Sequence, residues 1–356
     1  MSDTKRAAEE LRQEATKIDA QLLALIDRRA KISRKLGHLR GAGPAMLPLA
    51  DRASTASLLA KATGDMPPDA LREIFRVIHA GCLGLELAAP VVVVGPPGSA
   101  GHVAARKRFG VTTDLVSTDS AEEALQEVMR QRAGFAVLAL ETKSEGPVQA
   151  TIAALTALDL KIVTTFELPS TLHLVSRSGD LAEVERVHAT PHDHARCKRF
   201  LAQELPRALV VDVLSPELAC RHAQEDPRSA ALADESFAAQ FDLVVTRRHA
   251  SDASDDRTRY AIVGTRPSGR TGSDLSAVVF SVSDSPGALI EVLRQFAERG
   301  INLSKIHSRP TSGEAWSYLF FVEFAGHATD RPIVAALEDV KRSTPFFKLL
   351  GSYPAG

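Results

Sequence analysis

The chain has 356 residues, of which 44% are hydrophobic, and its formal net charge is -1. This length exceeds what one small core needs, so we expect two or three domains. The near-zero net charge argues against a nucleic acid or a membrane surface as a partner. No apolar run is long enough to span a bilayer, and the polar N-terminus is unlike a signal peptide, so we expect a cytoplasmic protein.

The three cysteines, Cys82, Cys197 and Cys220, lie far apart and lack CxxC spacing. They indicate reduced thiols, with neither a zinc site nor a disulfide framework. The glycine-rich stretch at 95–99 is GPPGS rather than GxGxxG, so it does not indicate a dinucleotide. We therefore expect no cofactor and no metal.

Residues 1–90 predict an all-helical module. Apolar or small side chains recur in alternating steps of four and three, which is typical of a coiled-coil seam: Leu11, Ala15, Ile18, Leu22, Leu25, Ile32, Leu36 and Leu39. Arg29 interrupts this seam, and Arg40 projects along nearly the same line three helical turns later. A buried guanidinium needs an anion, so the two arginines indicate a pocket for a dicarboxylate. The alternative is that Arg29 extends to solvent between helices and Arg40 is a solvated helix end.

A break at 41–48 ends the first helix. A weaker helical stretch begins at Arg52, and Pro67-Pro68 precede a third helix from Asp69 to about Leu87. The first helix is too long to bury its seam against two short partners, so we expect a homodimer.

This module resembles the chorismate mutase family. The motifs that carry the resemblance are Leu11-Arg12, Ile18-Asp19, Leu22-Leu23, Arg28-Arg29, Gly37 and Ile74-Phe75-Arg76. It implies that two intertwined chains share two active sites, in which arginines bind the carboxylates of chorismate during its conversion to prephenate. The family's arginine positions are matched by Arg12 of the partner chain, Arg29 and Arg52, and Arg40 stands where the family has Lys.

Three positions depart from that family. Ala53 stands where the family has a Glu that binds the substrate hydroxyl, and Cys82 replaces a small hydroxyl residue. Glu86 stands where a Gln donates to the ether oxygen of the substrate. A carboxylate donates only when it is protonated, so we expect mutase activity to rise toward acid pH.

Residues 91–268 predict an α/β domain, because strand and helix patterns alternate. The expected strands are 91–94, 135–140, 161–166, 208–213 and 241–246, and the expected helices are 101–109, 148–158, 195–205 and 217–226. This is enough chain for two lobes with a ligand cleft between them. Backbone amides at the 95–99 turn, ahead of a helix, can bind an anion.

Thr258-Arg259-Tyr260 lie at the start of an apolar run that predicts a strand. Arg holds a carboxylate with two parallel hydrogen bonds, and an adjacent Thr can donate to a leaving oxygen on the same anion. Taken without its neighbours, the composition of the stretch favours a charged loop that enters a strand.

The region resembles prephenate dehydratase, with the family's elements in order and at nearly the family's spacing. They are GPPGS at 95–99, ETKSEG at 141–146, Leu168-Pro169, His173-Leu174, SRSGDL at 176–181 and Thr258-Arg259-Tyr260. The resemblance implies a two-lobed, periplasmic-binding-protein-like α/β fold. It also implies the loss of carbon dioxide and hydroxide from prephenate to give phenylpyruvate.

By this resemblance Thr258 is the donor near the leaving hydroxyl. Arg259 binds a carboxylate or orients the loop, and Glu141 is an orienting residue. Further substrate contacts are expected at Gly98, Ser99, Thr165 and Tyr260.

Four positions depart from the dehydratase pattern: Gly101 replaces Ser or Thr, Ala139 replaces Pro, and Thr142 and Asp256 each replace Asn. Asp256 places a negative charge beside a dianionic substrate. This charge costs affinity for the substrate unless Arg257 or Arg259 neutralises it.

Residues 265–274 predict a polar linker, after which the pattern is βαββαβ, an α+β ferredoxin-like sandwich. Gly287-Ala288-Leu289, Ile301-Asn302-Leu303 and Ser308-Arg309-Pro310 resemble the ACT domain. That family implies a regulatory L-phenylalanine at a dimer interface, bound by Gly287, Ala288, Leu289, Asn302, Ser308 and Arg309. His307 stands where the family has Glu, so we expect weakened feedback.

Together, segments 1–90, 91–268 and 275–356 predict a bifunctional enzyme of L-phenylalanine biosynthesis with chorismate and prephenate as substrates. One alternative is a diverged relative that only decarboxylates prephenate, against which Thr258-Arg259 argue. Another is a binding or regulatory protein without catalysis, which Ala53, Gly101 and Asp256 keep open.

Overall fold

The computed structural model describes residues 2–40, 47, 57–62, 64–253, 255–310 and 318–355. The chain forms two compact units, one of residues 1–90 with 106–114 and one of residues 91–105 with 115–356. Within the described ranges, no helix combines the length and the apolar character that crossing a bilayer requires.

The first unit is built on two helices, α1 (Ser2–Arg40) and α2 (Pro68–Glu86). Residues 57–59 are also helical, and the rest of the helix expected from Arg52 lies outside the described residues. Proline at the start of α2 costs no hydrogen bond, because the first amides of a helix have no intrahelical acceptor. The two helices pack closely at Gly37, where a Cβ would lie 2.8 Å from the carbonyl oxygen of Glu86.

The seam of α1 is exposed on the surface of the described chain. Its large apolar side chains are between 41% and 84% exposed: Leu11, Ile18, Leu22, Leu25, Ile32, Leu36 and Leu39. A contiguous apolar stripe of this length is unusual on a monomer surface and is typical of an interaction surface.

The second unit begins with a six-stranded sheet, the first lobe. Its elements are β1 (Val91–Val94), α3 (Ala100–Phe109), β2 (Leu115–Thr118), α4 (Ala121–Met129), β3 (Phe135–Thr142), β4 (Gly146–Pro147), α5 (Gln149–Ala157), β5 (Lys161–Pro169) and the returning β11 (Arg257–Gly264). The strand order is β2-β1-β3-β11-β5, with β4 paired to β3. β11 runs antiparallel between β3 and β5, so residues 257–264 lie in the middle of this sheet.

The second lobe is a five-stranded sheet of order β10-β6-β9-β7-β8. Its elements are β6 (His173–Ser176), β7 (Arg186–Ala189), α6 (Pro191–Arg196), α7 (Lys198–Glu204), β8 (Leu209–Asp212), α8 (Pro216–Glu225), β9 (Ser229–Ala233), α9 (Glu235–Gln240) and β10 (Val244–Arg247). The single helix expected at 195–205 is wrong. Cys197, at φ -117 and ψ 15, interrupts it and separates α6 from α7.

The C-terminal segment has the expected βαββαβ order. It consists of β12 (Asp274–Ser281), α10 (Ala288–Ala297), β13 (Leu303–Pro310), β14 (Tyr318–Ala325), α11 (Arg331–Ser343) and β15 (Phe346–Pro354), with strand order β13-β14-β12-β15. One face of this sheet buries Val278, Phe280 and Phe324 against the two helices.

The other face of the C-terminal sheet packs on the first lobe. Ala277, Val279 and Tyr353 share a core with Ala261 and Val263 of β11. The intervening stretch at 265–274 is also part of the packing, since Ser268 is buried and donates a hydrogen bond to the carbonyl of Val163. Sheet-on-sheet packing therefore connects the strand that carries Thr258 to the C-terminal domain.

Candidate active site and effector cavity

Thr258 and Tyr260 form the centre of the candidate dehydratase site. They are two residues apart on β11, so both side chains project from the same face of the strand. A hydrogen bond joins them, and Tyr260 stacks on Phe166 of the adjacent strand at 5.5 Å between ring centroids. Burial raises the pKa of Tyr260 to about 12, so its phenol stays protonated near neutral pH. The result is a buried hydroxyl whose neighbour is a permanent hydrogen-bond donor.

Arg259 lies on the opposite face of β11 from Thr258. Its guanidinium binds Glu323 of β14 through two bonds, with 2.8 Å from Nη1 to Oε1 and 3.0 Å from Nη2 to Oε2. Its Nη2 is also 3.2 Å from Oε2 of Glu141, its direct neighbour across β3. Of the two roles expected for Arg259, this geometry favours orientation of the chain over contact with a substrate carboxylate.

The strand register separates Thr165 from Thr258. Thr165 pairs with Ala261 and so lies on the Arg259 face, whereas Thr164 pairs with Ile262 on the Thr258 face. Thr142 is the direct neighbour of Thr258 across β3, and its hydroxyl accepts a hydrogen bond from the amide of Glu145. Substrate contact by Thr165 would therefore have to be made from the face that Thr258 does not occupy.

Asp256 is neutralised by a residue that the sequence did not indicate. Nη2 of Arg196 lies 2.8 Å from Oδ2 of Asp256, and both side chains are nearly fully buried. Neither Arg257 nor Arg259, the two cations that the sequence suggested for this role, pairs with Asp256. Arg257 is half-exposed and pairs with Asp255 at 3.1 Å, and Arg259 binds Glu323.

The same Arg196 connects both chain crossings between the lobes. Its Nη2 donates to the carbonyl of Ser170, at the first crossing, over 2.6 Å. Ser170 in turn donates its amide to the carbonyl of Asp256, at the second crossing, over 2.9 Å. Arg196 belongs to α6 of the second lobe, so these hydrogen bonds connect that lobe to both chain crossings.

The turn at 95–99 lies between β1 and α3, as predicted. Ser99 caps α3, because its Oγ accepts from the amide of His102 and donates to the carbonyl of Val94, each over 3.3 Å. Gly98 has φ 88, and a Cβ there would lie 3.0 Å from Phe237 and closer still to Gln240. Since α9 carries those two side chains, the turn meets the second lobe directly.

The histidines, cysteines and carboxylates of the described residues are the groups on which metal or thiol chemistry would depend. No group of three or more His, Cys, Asp or Glu side chains among them is arranged to bind a metal ion. The three cysteines are buried, and burial raises the pKa of Cys197 and of Cys220 to about 12. Such thiols are poor nucleophiles at neutral pH.

The predicted mutase residues are only partly described. Arg12 is exposed and lies 3.6 Å from Glu9, and Arg29 is half-buried on the same helix. Glu86 and Cys82 are buried on α2. The side chain of Arg40 and the whole of Arg52 and Ala53 lie outside the described residues, so their roles stay predictions.

A cavity of about 180 Å³ opens in the C-terminal domain. It is lined by Val282, Ser283, Asp284, Ser285, Gly287, Ala288, Leu289, Ile290 and Tyr318. Three predicted effector residues therefore contribute to one wall. Gly287, at φ 88, supplies the left-handed turn that begins α10.

The other predicted effector residues lie away from this wall. Asn302 precedes β13 and Ser308 lies on it, both exposed, and Arg309 is half-buried beside Ser308. His307 contacts the first lobe, with 2.8 Å between its Nε2 and Nε2 of Gln149. In a single chain these residues do not line the cavity with Gly287.

Sequence reasoning missed Arg196, Glu323, Lys305 and Tyr353. Each acts through a partner that is distant in the chain, and each looks like an ordinary strand or helix residue in its local sequence. The only local signal was Asp256 itself, a charge that needs a buried counter-charge.

Comparison with known proteins finds three family models in consecutive order. Chorismate mutase type II matches residues 11–87, prephenate dehydratase matches 91–268, and the ACT domain matches 276–342. These segments correspond in order to the three resemblances seen in the sequence.

Two relatives and one structure show how far the similarity extends. A bifunctional chorismate mutase/prephenate dehydratase of Aquifex aeolicus is 35% identical over 351 residues, 97% of each chain. One of Pseudomonas aeruginosa is 29% identical over 352 residues, 97% of this chain and 96% of the relative. The prephenate dehydratase of Arthrobacter aurescens, solved in complex with L-Phe, is 33% identical. It has a TM-score of 0.68 and covers 75% of this chain and 90% of its own.

Proposed function

Because this chain belongs to the bifunctional chorismate mutase/prephenate dehydratase family, we propose that Thr258 is the hydrogen donor of its dehydratase site. The chain converts chorismate to prephenate and prephenate to phenylpyruvate, on the route to L-phenylalanine. The relatives favour this enzyme over a decarboxylase or a binding protein without catalysis.

The observation that carries the proposal is the buried Thr258–Tyr260 pair in the middle of the first-lobe sheet. When the phenol of Tyr260 donates to Oγ1 of Thr258, the hydroxyl proton of Thr258 is left to point at the substrate. As the C–O bond of prephenate breaks, that proton moves onto the leaving hydroxide, which departs as water. The phenol proton of Tyr260 moves to Oγ1 of Thr258 in its place and is restored from solvent. The electrons of the breaking C–CO₂ bond complete the aromatic ring.

The rest of the dehydratase site is assigned a supporting role. The backbone amide of Gly98, just ahead of α3, would hold a substrate carboxylate, whereas the amide of Ser99 already donates to the carbonyl of Pro96. The positive charge of Arg196 balances the negative charge of Asp256, so the aspartate does not repel the dianionic substrate. Glu141 and Arg259 orient the strand rather than react.

The test replaces Thr258 by Ala and by Ser. Thr258→Ala should lower the dehydratase kcat by about 100-fold or more, since it removes a positioned donor, whereas Thr258→Ser keeps the hydroxyl and most of the activity. The mutase rate of each preparation, measured on chorismate, controls for the amount of folded protein. A fully active Thr258→Ala enzyme would refute the assignment.

The mutase site requires a second chain. Arg12 and Arg29 are seventeen residues apart on one straight helix, which separates them by about 25 Å. They cannot bind one small dianion within one chain, so Arg12 would reach the site of a partner whose α1 packs on the exposed seam. The enzyme is therefore a homodimer, and its four arginines would stabilise a compact conformer of chorismate without acid–base chemistry.

L-Phenylalanine is the proposed effector of the C-terminal domain. The cavity of about 180 Å³ at Gly287, Ala288 and Leu289 is a concave site within the segment that matches the ACT domain. Asn302, Ser308 and Arg309 would complete the site from a partner chain. Weakened feedback through His307 stays a prediction. The buried, unpaired cysteines suit a cytoplasmic enzyme.

A further inference from the structure

Four charged side chains meet between the first-lobe sheet and the C-terminal sheet. Arg259 and Glu141 come from β11 and β3, and Glu323 and Lys305 come from β14 and β13. Lys305 binds Glu141, and its Nζ is 3.9 Å from Oε2 of Glu323. Tyr353 of β15 donates its hydroxyl to Oε1 of Glu323. The cluster has two cations and two anions, so it carries no net charge.

The centre of this cluster is buried. Only 1% of the Glu323 side chain and 10% of the Arg259 side chain are exposed, and Tyr353 is fully buried. Burial lowers the pKa of Arg259, but the hydrogen bond to Glu323 and the charges of Glu323 and Glu141 together raise it more, so the pKa lies above its ordinary value. A buried ion pair adds little net stability, because both charges lose their hydration, but it restricts the positions of the two side chains.

The Arg259–Glu323 pair lies at an irregular point of the first-lobe sheet. The register between β11 and β3 shifts between Arg259 and Tyr260, a β-bulge. A bulge changes the direction of nearby side chains and locally disrupts the hydrogen bonds between the two strands. The two residues on either side of Arg259 are Thr258 and Tyr260, whose side chains form the candidate site.

We propose that Glu323 is a positioning residue of the dehydratase site, which acts through Arg259 to fix the direction of Thr258. The proposal rests on the assigned role of Thr258. Thr258 and Arg259 project from opposite faces of one strand, so a two-point bond that immobilises Arg259 also immobilises the backbone that carries the Thr258 hydroxyl. The C-terminal domain thus forms part of the catalytic architecture in addition to carrying the effector cavity.

The C-terminal sheet also links this bond to the effector cavity. Tyr318, in the wall of the cavity, is the first residue of β14, the strand that carries Glu323. Lys305 of β13 is the direct cross-strand neighbour of Glu323 of β14. The contact that positions Thr258 therefore belongs to the same strand that an occupant of the cavity touches.

The test compares Glu323→Gln with Lys348→Met. Glu323→Gln keeps the shape of the side chain and removes the charge that holds Arg259. Lys348→Met removes another contact between the C-terminal domain and the first lobe, in which Nζ donates to the carbonyls of Thr156 and Leu158 at the end of α5. That contact does not touch β11. Dehydratase and mutase rates are measured on each preparation, well below the thermal transitions.

We expect Glu323→Gln to lower the ratio of dehydratase kcat to mutase kcat about tenfold or more, because a displacement near 1 Å of a catalytic group has effects of this size. KM for prephenate should stay within about twofold. Lys348→Met should leave this ratio unchanged even if it lowers the Tm as much as Glu323→Gln does. If Glu323→Gln does not fold, Glu323→Asp, which keeps the charge but not the two-point bond, should lower the ratio in the same sense.

A wild-type ratio in folded Glu323→Gln, or an equal fall in Lys348→Met, would overturn the proposal. Thr258→Ala is measured in parallel to separate the two assignments. If Thr258→Ala is inactive and Glu323→Gln is fully active, only the role of Glu323 fails. If Thr258→Ala is active, the assignment of Thr258 fails and the role of Glu323 fails with it.

Discussion

At the scale of single residues, the fate of Asp256 shows what a local sequence can and cannot predict. The sequence showed that a carboxylate at this position needs a counter-charge. It did not show which one, because Arg196 belongs to the other lobe and is brought near only by the two chain crossings. The nearest candidates in the chain, Arg257 and Arg259, turn to other partners. Charge balance is predictable from composition, whereas the pairing is a property of the fold.

Asp256→Asn should destabilise the protein without improving catalysis. The neutral amide leaves the buried Arg196 with only Asp193, at 3.4 Å, as a remaining carboxylate, which costs about 1–3 kcal/mol. The matched control is Asp255→Asn, which removes an exposed partner of Lys143 and Arg257 and should leave the stability close to that of the wild type. Denaturant unfolding and the KM for prephenate are measured for both. A variant Asp256→Asn as stable as the wild type, or with a clearly lower KM, would contradict this account.

At the scale of elements, strongly patterned segments were predictable and weakly patterned ones were not. The apolar run at 91–94 is β1, and the βαββαβ order of the C-terminal domain is as expected. β2 and β9 were missed, because the first is a short sheet-edge strand with exposed residues and the second consists largely of alanine. Alternation of apolar and polar residues over several positions is the signal of a half-buried strand, and β2 is too short to show it, whereas β9 has no β-branched residue.

Gly37→Ala should weaken the packing of α1 on α2. The new methyl group would lie 2.8 Å from a backbone oxygen of Glu86, so the helices must move apart at a cost of about 1–3 kcal/mol. Gly81→Ala is the matched control on α2, because nothing described lies within 4 Å of its Cβ. It should stabilise the helix by about 0.5–1 kcal/mol. Thermal unfolding and mutase rate report the difference, and equal Tm values for the two variants would count against close packing at Gly37.

At the scale of the whole molecule, the sequence predicted the three family resemblances and their order but not how the C-terminal sheet packs on the first lobe. Ala261 and Val263 were read simply as a buried strand, yet they share one core with Ala277 and Val279. A polar stretch at 265–274 suggested a free linker, and Ser268 is instead buried against Val163. Apolar patterning predicts that a face is covered, and it does not identify what covers it.

The exposed seam of α1 leads to the last prediction, that mutase activity depends on dimerisation while dehydratase activity does not. Leu22→Glu places a charge in the seam, where burial against a second chain becomes unfavourable. The mutase rate should fall more than tenfold, because the site loses Arg12 of the partner, and dehydratase activity should stay above half. Ala20→Glu adds the same charge about 200° around the helix and should leave both rates unchanged. Sedimentation of both variants relates the mutase rate to association, and a wild-type mutase rate in Leu22→Glu would show that one chain holds a complete mutase site.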